Sequence, residues 1–394
     1  MTDALILSGA RTPRGKGSAR GALHEVTPVR LVAGLLRALE PRIGGAAVED
    51  VVLGCATQTG EQGANLARAA TLLAGWDPAV PGVTINRFCA SGLDAINTAA
   101  ARIRAGDASL ALAGGVEVVS RVHTFADGGP LFADPAVMAA AGTIHMGVAA
   151  DLVATLEGID RDACDAYGLA TRAKARRAPP SPSLVPVRDG DRVLLDHDEN
   201  ASYQPTAAEL VALPALFTAM GQSGQDAIAR ARHPGLAAIH HVHTRGSSPS
   251  LADAAALVVI GDHAAAERTG LTPRARIVAT ATCGGDPVTM LTAGQAALER
   301  ALAKAGLRAA DLAVIEFAEA FAALCLRLMR DLDVGHDRLN PHGGTIALGH
   351  AYGATGAILL LNAVDELVRT GERYAGVAVS GAGGLGIATI LERV

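Results

Sequence analysis

The sequence has few aromatic residues and no excess of basic charge. Only 3% of its 394 residues are Phe, Trp or Tyr, whereas half are hydrophobic and 45 are Gly. The 34 Lys and Arg are outnumbered by 39 Asp and Glu, so the basic footprint typical of nucleic-acid-binding proteins is absent. The long aliphatic runs instead indicate closely packed helices and strands, in a chain long enough for two or three domains.

Cysteines and long apolar runs are also scarce. The five cysteines are odd in number and far apart, with no CxxC pair, which argues against a disulfide framework. No apolar run reaches the roughly 20 residues needed to span a bilayer, and the start, MTDALILSGARTP, does not resemble a signal peptide. We therefore expect a cytoplasmic enzyme with no membrane partner.

Short apolar runs alternate with helical patterns, which predicts an α/β fold with buried strands. One series contains DALILSG, DVVLGCA, VTINRFCA and LALAGGVE, and a second series begins at ARIVATATCGG and follows a similar plan. This indicates an internal duplication. We predict an N-terminal half formed by residues 1–117 and 251–273, an inserted loop domain at 118–250, and a C-terminal half at 274–394.

Cys89 lies between an apolar run and a predicted helix. The helix has one apolar stripe, formed by Leu93, Ile96, Ala100 and Ile103. Free N–H groups and the positive end of the helix favour a thiolate, so we predict that the pKa of Cys89 falls below about 8.5. The same N–H groups could stabilise an oxyanion. The alternative is a small buried cysteine that only packs.

A thiolate nucleophile usually needs a base, and His350 is the candidate. It follows an apolar segment and precedes a Gly-rich helix start in HGGTIALGHAYGATGA. His350 therefore has the same position in the second series that Cys89 has in the first. In a duplicated fold, we expect Cys89 and His350 to converge across the pseudo-symmetry axis.

Six motifs carry a resemblance to a known family. They are NRFCASGLDA, GGVEVVS, HMGVAAD, EAFAA, NPHGGTIALGHAYGATGA and GAGGLGIA. Their order and spacing resemble those of the thiolase family, the acetyl-CoA acyltransferases, over nearly the whole chain. The resemblance implies a five-layered αβαβα fold with two βαβαβαββ halves and a loop domain that holds coenzyme A. It also implies acyl-CoA substrates, no permanently bound cofactor or metal, and a homodimer or homotetramer.

The resemblance also assigns the site residues. Cys89 accepts the acyl group, His350 activates it, and the backbone N–H groups of Cys89 and Ala382 hold the oxyanion. The residues expected to contact coenzyme A or the acyl group are His145, Met146, Ser247, Ser248, Glu319 and Phe321.

Two departures from the family pattern concern the second half-reaction. Ser380 stands where the family has a second cysteine that acts as acid and base, and a hydroxyl is a far weaker acid than a thiol. Ala318 stands where most members have Asn, and losing one oxyanion donor costs about 100- to 1000-fold in rate. His342 is a candidate replacement for the missing acid.

Three functions therefore remain open. The first is a thiolase that cleaves 3-ketoacyl-CoA or runs the reverse condensation. The second is a thiolase-like acyl-CoA transferase or hydrolase with impaired carbon–carbon chemistry, and the third is a non-catalytic acyl-CoA-binding subunit. A zinc site on His240, His241 and His243 is a weaker alternative, because no nearby residues complete a ligand set.

Overall fold

Residues 2–394 are described in the computed structural model, and twelve strands occur in this part of the chain. The strands are β1 Leu5–Arg11, β2 Gly15–Lys16, β3 Asp50–Gly54, β4 Val83–Ile85, β5 Leu110–Val118, β6 Val187–Asp189, β7 Arg192–Leu195, β8 Ala252–Gly261, β9 Ala275–Gly284, β10 Val314–Phe317, β11 Tyr374–Gly381 and β12 Leu385–Arg393. The α-helices are α1 Pro28–Leu39, α2 Leu66–Ala74, α3 Ser91–Ala105, α4 Pro130–Ala133, α5 Pro135–Ala141, α6 Met146–Glu157, α7 Arg161–Arg177, α8 Ala207–Val211, α9 Thr218–Met220, α10 Asp226–Arg232, α11 His263–Thr269, α12 Ala293–Ala305, α13 Ala322–Leu332, α14 Thr345–Leu348 and α15 Tyr352–Thr370.

The two halves of the chain have the same strand order. In the first half, β3, β5, β8 and β1 are neighbours in that order, and in the second half β10, β11, β12 and β9 are. Each row begins with a parallel pair and continues with antiparallel pairs. The two rows join where β1 pairs with β9, at Leu5 with Arg276 and Ile6 with Ala275. The predicted duplication is therefore present in the topology.

Helices form three layers around the two rows of strands. The helices α3 and α15 contact strands of both rows, so they form the central layer. The helices α1 and α2 cover the first row, and α12 covers the second. Three separate hydrophobic clusters fill the spaces between these layers. The predicted α/β fold of five layers, αβαβα, is confirmed.

The central helices pack closely because small residues face each other. In α3, the predicted stripe of Leu93, Ile96, Ala100 and Ile103 is fully buried. A Cβ atom on Gly92 would lie 2.3 Å from the carbonyl oxygen of Gly353 in α15, and one on Gly356 would lie 2.7 Å from Cβ of Leu93. Only glycine permits this approach, which brings the N-terminal ends of the two helices together.

The segment 118–250 contains α4 to α10 and the hairpin of β6 and β7. Its helices α6 and α7 pack on α13 of the second half. The stretch Pro135–Glu157 is apolar and long enough, by length and composition, to cross a membrane, but half of it is buried in the protein. It consists of α5 and α6, and Val148 to Ala154 of α6 lie in the core. We interpret this stretch as core helices.

Candidate active site

Cys89 lies in a tight turn between β4 and α3. The Ser91 hydroxyl fixes this turn, because it accepts a hydrogen bond from the backbone N–H of Arg87 at 2.7 Å and donates one to the carbonyl of Phe88 at 2.6 Å. Phe88 has a positive φ of 50°, which is uncommon for a bulky residue. The turn directs Cys89 inward, and only 7% of the residue is exposed.

His350 lies in the equivalent turn before α15. Its backbone is held by two hydrogen bonds, from its N–H to the carbonyl of Ser250 and from the N–H of Ala252 to its own carbonyl. Its Nδ1 lies 2.8 Å from the hydroxyl of Thr355 in the first turns of α15. This bond orients the ring and occupies Nδ1, so Nε2 is the nitrogen available to a substrate or to Cys89.

The turns that carry Cys89 and His350 line the same cavity, which has a volume of about 290 Å³. Most residues assigned from the resemblance line this cavity, as do several that were not expected there. The expected ones are Cys89, His145, Met146, Ser248, Ala318, Phe321, His350 and Ser380. The predicted convergence of Cys89 and His350 follows from the packing of α3 against α15.

Burial reverses the expected charge of Cys89. Burial and, as a smaller cause, the nearby carboxylate of Glu117 raise the pKa of the thiol to about 12. Glu117 is itself fully buried and accepts hydrogen bonds from the backbone N–H groups of Ala56, Thr57 and Gly353. The prediction of a lowered thiol pKa is therefore wrong for the free protein, because loss of water outweighs the end of the helix.

His350 is uncharged for a similar reason. Burial lowers the pKa of its imidazole to about 4, and the positive charge of Arg14 lowers it as well. Near pH 7 the site therefore holds a neutral thiol and a neutral imidazole. In this state the imidazole can accept a proton, and the thiol has to lose its proton as it attacks a carbonyl carbon.

A second cavity of about 220 Å³ is also lined by Cys89. Ala382 lines it together with Cys89, as expected for two groups that share an oxyanion. Thr124, Phe125, Met146 and Tyr352 line both cavities, so the two spaces are adjacent at the thiol.

His145 is the residue before α6 and caps this helix. Its Nδ1 accepts a hydrogen bond from the N–H of Gly147 at 3.0 Å, so the neutral ring carries its hydrogen on Nε2. Burial lowers the pKa of His145, and its ring packs on Phe217 with the centroids 5.4 Å apart. His145 is therefore a fixed, neutral hydrogen-bond donor in the cavity wall.

Two of the expected contact residues lie behind the cavity wall. The Ser247 hydroxyl accepts a hydrogen bond from the N–H of Thr244, and the residue is fully buried. The Glu319 carboxylate accepts hydrogen bonds from Tyr167, Thr171 and Asn340 and from the N–H of Ile346. Neither residue lines the two cavities. Ser248 lines the larger cavity, and its buried hydroxyl oxygen has no hydrogen-bond partner within the described chain.

Ser380 reaches the cavity, but its hydroxyl already donates its one hydrogen and accepts one hydrogen bond inside the protein. The hydroxyl donates to the carbonyl of Leu291 at 2.6 Å and accepts from the N–H of Gly294 at 3.0 Å. These bonds tie the end of β11 to the start of α12. The side chain therefore has a structural task where the resemblance led us to expect a second cysteine.

His342 does not lie at the catalytic cavity. Its Nε2 is 2.8 Å from the carboxylate of Glu366, and it lines a different cavity of about 690 Å³. The proposal of His342 as a replacement acid is therefore not supported. His241 and His243 both contact Asp151, and within residues 2–394 no group of three or more His, Cys, Asp or Glu is placed to hold a metal.

Several residues around the thiol were not predicted from the sequence. Thr124 and Tyr352 line both cavities, and their hydroxyl oxygens are 3.1 Å apart. The ring of Tyr352 also contacts that of His350, with the centroids 4.9 Å apart. Three phenylalanines, Phe88, Phe125 and Phe132, line the smaller cavity. The small number of phenylalanines in the chain was the one feature of the sequence that could have drawn attention to these residues.

Comparison with known proteins agrees with this geometry. Residues 4–224 match the family description "Thiolase, N-terminal domain", and residues 271–393 match "Thiolase, C-terminal domain". The 3-oxoadipyl-CoA/3-oxo-5,6-dehydrosuberyl-CoA thiolase of Escherichia coli is 39% identical, over 100% of both chains. The Beta-ketoadipyl-CoA thiolase of Pseudomonas aeruginosa is 36% identical, over 100% of this chain and 99% of the relative. A solved structure of the acetyl-CoA acetyltransferase of Bacillus anthracis is similar with a TM-score of 0.85 and 29% identity, over 100% of this chain and 99% of that one. The chain therefore belongs to the thiolase family of CoA-dependent acyltransferases.

Proposed function

We propose that this enzyme transfers acyl groups between coenzyme A thioesters through an acyl-Cys89 intermediate, as in thiolysis of a 3-ketoacyl-CoA or the reverse condensation. The observation that carries the proposal is the meeting of Cys89 and His350 in one buried cavity. They occupy equivalent turns of the two halves, and both are neutral there. A binding subunit would need neither residue, which argues against the non-catalytic alternative.

Acyl transfer to the enzyme uses these two residues and the backbone. The sulfur of Cys89 bonds to the acyl carbon of the thioester, and Nε2 of His350 takes the thiol proton. The negative charge moves to the carbonyl oxygen, where the N–H groups of Cys89 and Ala382 stabilise it. The bond to the sulfur of coenzyme A then breaks, and His350 returns the proton to that sulfur.

A third cavity, of about 710 Å³, gives coenzyme A a route to Cys89. It shares Leu216, Ser248, Pro249 and Leu251 with the catalytic cavity. Lys16 and Arg245 line its outer part, where cationic side chains suit the phosphates of coenzyme A. Ser248, with its unpartnered buried hydroxyl, stands where the two cavities meet and could bond the pantetheine arm.

The remaining predicted positions fit supporting roles. His145 and Met146 would border the acyl and pantetheine groups, and Phe321 would pack beside them. Glu319 and Ser247 would position the wall of the cavity, because their side chains are committed to hydrogen bonds inside the protein. We also retain the division at 118–250 as a CoA-binding insert, a cytoplasmic location and a homodimer or homotetramer as predictions.

The geometry of Ser380 favours a second candidate function. Thiolysis breaks a carbon–carbon bond, and the carbon that leaves must receive a proton. The Ser380 proton is held by the carbonyl of Leu291, and Ala318 offers no side-chain donor. Transfer or hydrolysis of the acyl group needs no such proton. We therefore keep an acyl-CoA transferase or hydrolase as the alternative.

Intact-mass measurement after incubation with acetyl-CoA tests the proposal. We expect a stable acetyl adduct on the wild type and none on Cys89→Ser. His350→Asn, which keeps a polar group of similar size but cannot take the proton, should slow adduct formation by about 100-fold or more. Absence of any adduct on the wild type, with several acyl-CoA donors, would refute an acyl-Cys89 enzyme.

Thiolysis of acetoacetyl-CoA separates the two candidate functions. The wild type and Ser380→Cys are assayed side by side, with coenzyme A as the acceptor. Turnover by the wild type at the rate of acetyl-adduct formation would support the thiolase. A wild type that forms the adduct but cleaves acetoacetyl-CoA only after Ser380→Cys would support the transferase or hydrolase.

A further inference from the structure

Phenylalanine is concentrated around Cys89. The chain contains six phenylalanines among its 394 residues. Five of them line the two cavities beside the thiol: Phe88, Phe125 and Phe132 the smaller, and Phe125, Phe217 and Phe321 the larger. Only Phe317 lies elsewhere, in the core. The core consists mainly of Ala, Val, Leu and Ile, whereas nearly all the phenylalanines lie around Cys89.

The three rings of the smaller cavity form one aromatic wall. Phe88 and Phe132 meet edge to face, with the centroids 6.3 Å apart and an interplanar angle of 82°. Phe125 and Phe132 lie 4.3 Å apart at 44°. Phe125 is 39% exposed, so this wall is not simply a part of the core. Ring faces and edges of this kind pack well against another planar or apolar group.

Two of these phenylalanines have a strained backbone conformation. Phe88 has a φ of 50° and Phe125 a φ of 67°, both in the left-handed region that bulky residues rarely adopt. Such conformations are strained and cluster at functional sites, where the surrounding structure holds them in place. The turn at Phe88 also orients Cys89, and the residue with the second strained conformation, Phe125, is partly exposed and lines the smaller cavity.

The charges around this wall have one sign. Within the described chain, neither cavity beside Cys89 is lined by Lys or Arg, whereas Asp127 lines the smaller one. The buried carboxylate of Glu117 is close enough to raise the pKa of Cys89. An acyl group that ends in a carboxylate would therefore lose water without gaining a cation and would face Asp127.

We propose that the smaller cavity selects uncharged, apolar acyl groups larger than acetyl, with aryl groups preferred, and rejects acyl groups that end in a carboxylate. This rests on the proposed acyl-Cys89 chemistry and names its substrate class. It separates this enzyme from relatives whose names specify an adipyl group, which ends in a carboxylate. The aromatic wall attracts the acyl group, and Asp127 repels the charged competitor.

Acylation by a matched pair of donors tests this inference. Butanoyl-CoA and succinyl-CoA have the same four-carbon acyl chain and differ in the terminal methyl or carboxylate. The rate of adduct formation on Cys89 is followed by intact mass for both, and for 3-phenylpropanoyl-CoA and acetyl-CoA. We expect butanoyl-CoA to react at least about tenfold faster than succinyl-CoA, because a buried carboxylate without a partner is strongly disfavoured. We expect 3-phenylpropanoyl-CoA to react faster than butanoyl-CoA.

Two variants identify the residues responsible. Asp127→Lys replaces the negative charge by a positive one and should raise the succinyl to butanoyl ratio by about tenfold. Asp191→Lys is the matched control, because it makes the same charge change on the distant hairpin of β6 and β7, and its ratio should stay that of the wild type. Phe132→Ala should lower the ratio of 3-phenylpropanoyl to acetyl transfer.

The outcomes distinguish this inference from the proposed function. Succinyl-CoA that acylates Cys89 as fast as butanoyl-CoA in the wild type would overturn the inference and leave acyl transfer intact. An equal change of the ratio in Asp127→Lys and Asp191→Lys would also overturn the assignment to Asp127. Failure of every donor to acylate Cys89 would instead refute the proposed function.

Discussion

Burial holds both Cys89 and His350 uncharged near neutral pH. The thiol pKa rises to about 12 and the imidazole pKa falls to about 4. Neither side chain alone is reactive in this state. In the proposed acyl transfer, a proton passes from sulfur to nitrogen as the carbonyl carbon is attacked, so the two side chains would act together. A bound thioester thus meets a thiol that is not already ionised.

The alkylation of Cys89 by iodoacetamide should reveal this high pKa. Only the thiolate reacts, so its rate should rise by about tenfold per pH unit between about pH 7 and 9, with no plateau. The adduct at Cys89 is quantified by peptide mass spectrometry, and Cys89→Ser identifies labelling of the other cysteines. A plateau below about pH 8.5 would show the thiolate that the sequence alone led us to expect.

Ser380 is predicted to matter for stability. Ser380→Ala removes the partner of the Gly294 N–H and of the Leu291 carbonyl, which are both deep in the protein. We expect a loss of about 1–3 kcal/mol in the free energy of unfolding, measured by urea denaturation. Ser202→Ala, at an exposed site, is the control and should change stability by less than about 0.5 kcal/mol. Equal effects of the two variants would contradict the structural role of Ser380.

At the scale of elements, the packing of α3 against α15 places the site. The two helices occupy equivalent positions in the two halves. The first begins just after Cys89 and the second just after His350. The contact between them depends on Gly92 and Gly353, where backbone meets backbone. The N-terminal turns of both helices are buried between the two rows of strands, so this glycine contact sets where their N-terminal ends meet.

A methyl group at this contact should separate the helices. Gly92→Ala would place Cβ 2.3 Å from a backbone oxygen, so we expect lower stability and an acetylation rate of Cys89 reduced by about tenfold or more. Gly34→Ala in α1 is the matched control, because nothing lies within 4 Å of its Cβ position. This control should stabilise the protein by about 0.5–1 kcal/mol. Urea denaturation and acetylation kinetics measure both, and normal acetylation in Gly92→Ala would contradict the proposed arrangement.

At the scale of the whole molecule, one buried carboxylate ties the inserted segment to the first half. Asp198 forms ion pairs with Arg11 and Arg14, both at 2.9 Å. Burial by itself would raise the pKa of Asp198, but the two guanidinium groups outweigh it and lower the pKa to about 2. The pair of Arg11 and Asp198 joins the end of β1 to a loop of the region between the halves.

Loss of this carboxylate should weaken the whole fold. Asp198→Asn leaves two buried guanidinium groups without a counter-charge, so we expect a loss of about 3–5 kcal/mol, measured by urea denaturation at pH 7. Because the folded-state pKa is depressed, the wild-type contribution is present above the unfolded pKa of about 4 and is lost as pH falls towards 2. The difference between wild type and variant should therefore shrink with falling pH, and a difference independent of pH would contradict this account.

The fold was predictable where its cause is periodic or repeated. Apolar strands, Gly-rich turns and the stripe of α3 are local patterns, and their recurrence in the second series indicated the duplication. The position of His350 relative to Cys89 followed from that symmetry. Ser247 and Glu319 show where this reasoning stops, since adjacency in the chain to Ser248 and Phe321 does not say which side chains face the cavity.

The sequence by itself determined the two-fold plan of the chain, the positions of Cys89 and His350 at its equivalent turns, and the family. Only the tertiary structure decided the charge of these residues, the hydrogen bonds that occupy Ser380, the exclusion of His342, and the aromatic wall beside Cys89. The physical reason is that pKa values and cavity linings depend on desolvation and on contacts between residues far apart in the chain. Neither desolvation nor these long-range contacts can be read from a local sequence pattern.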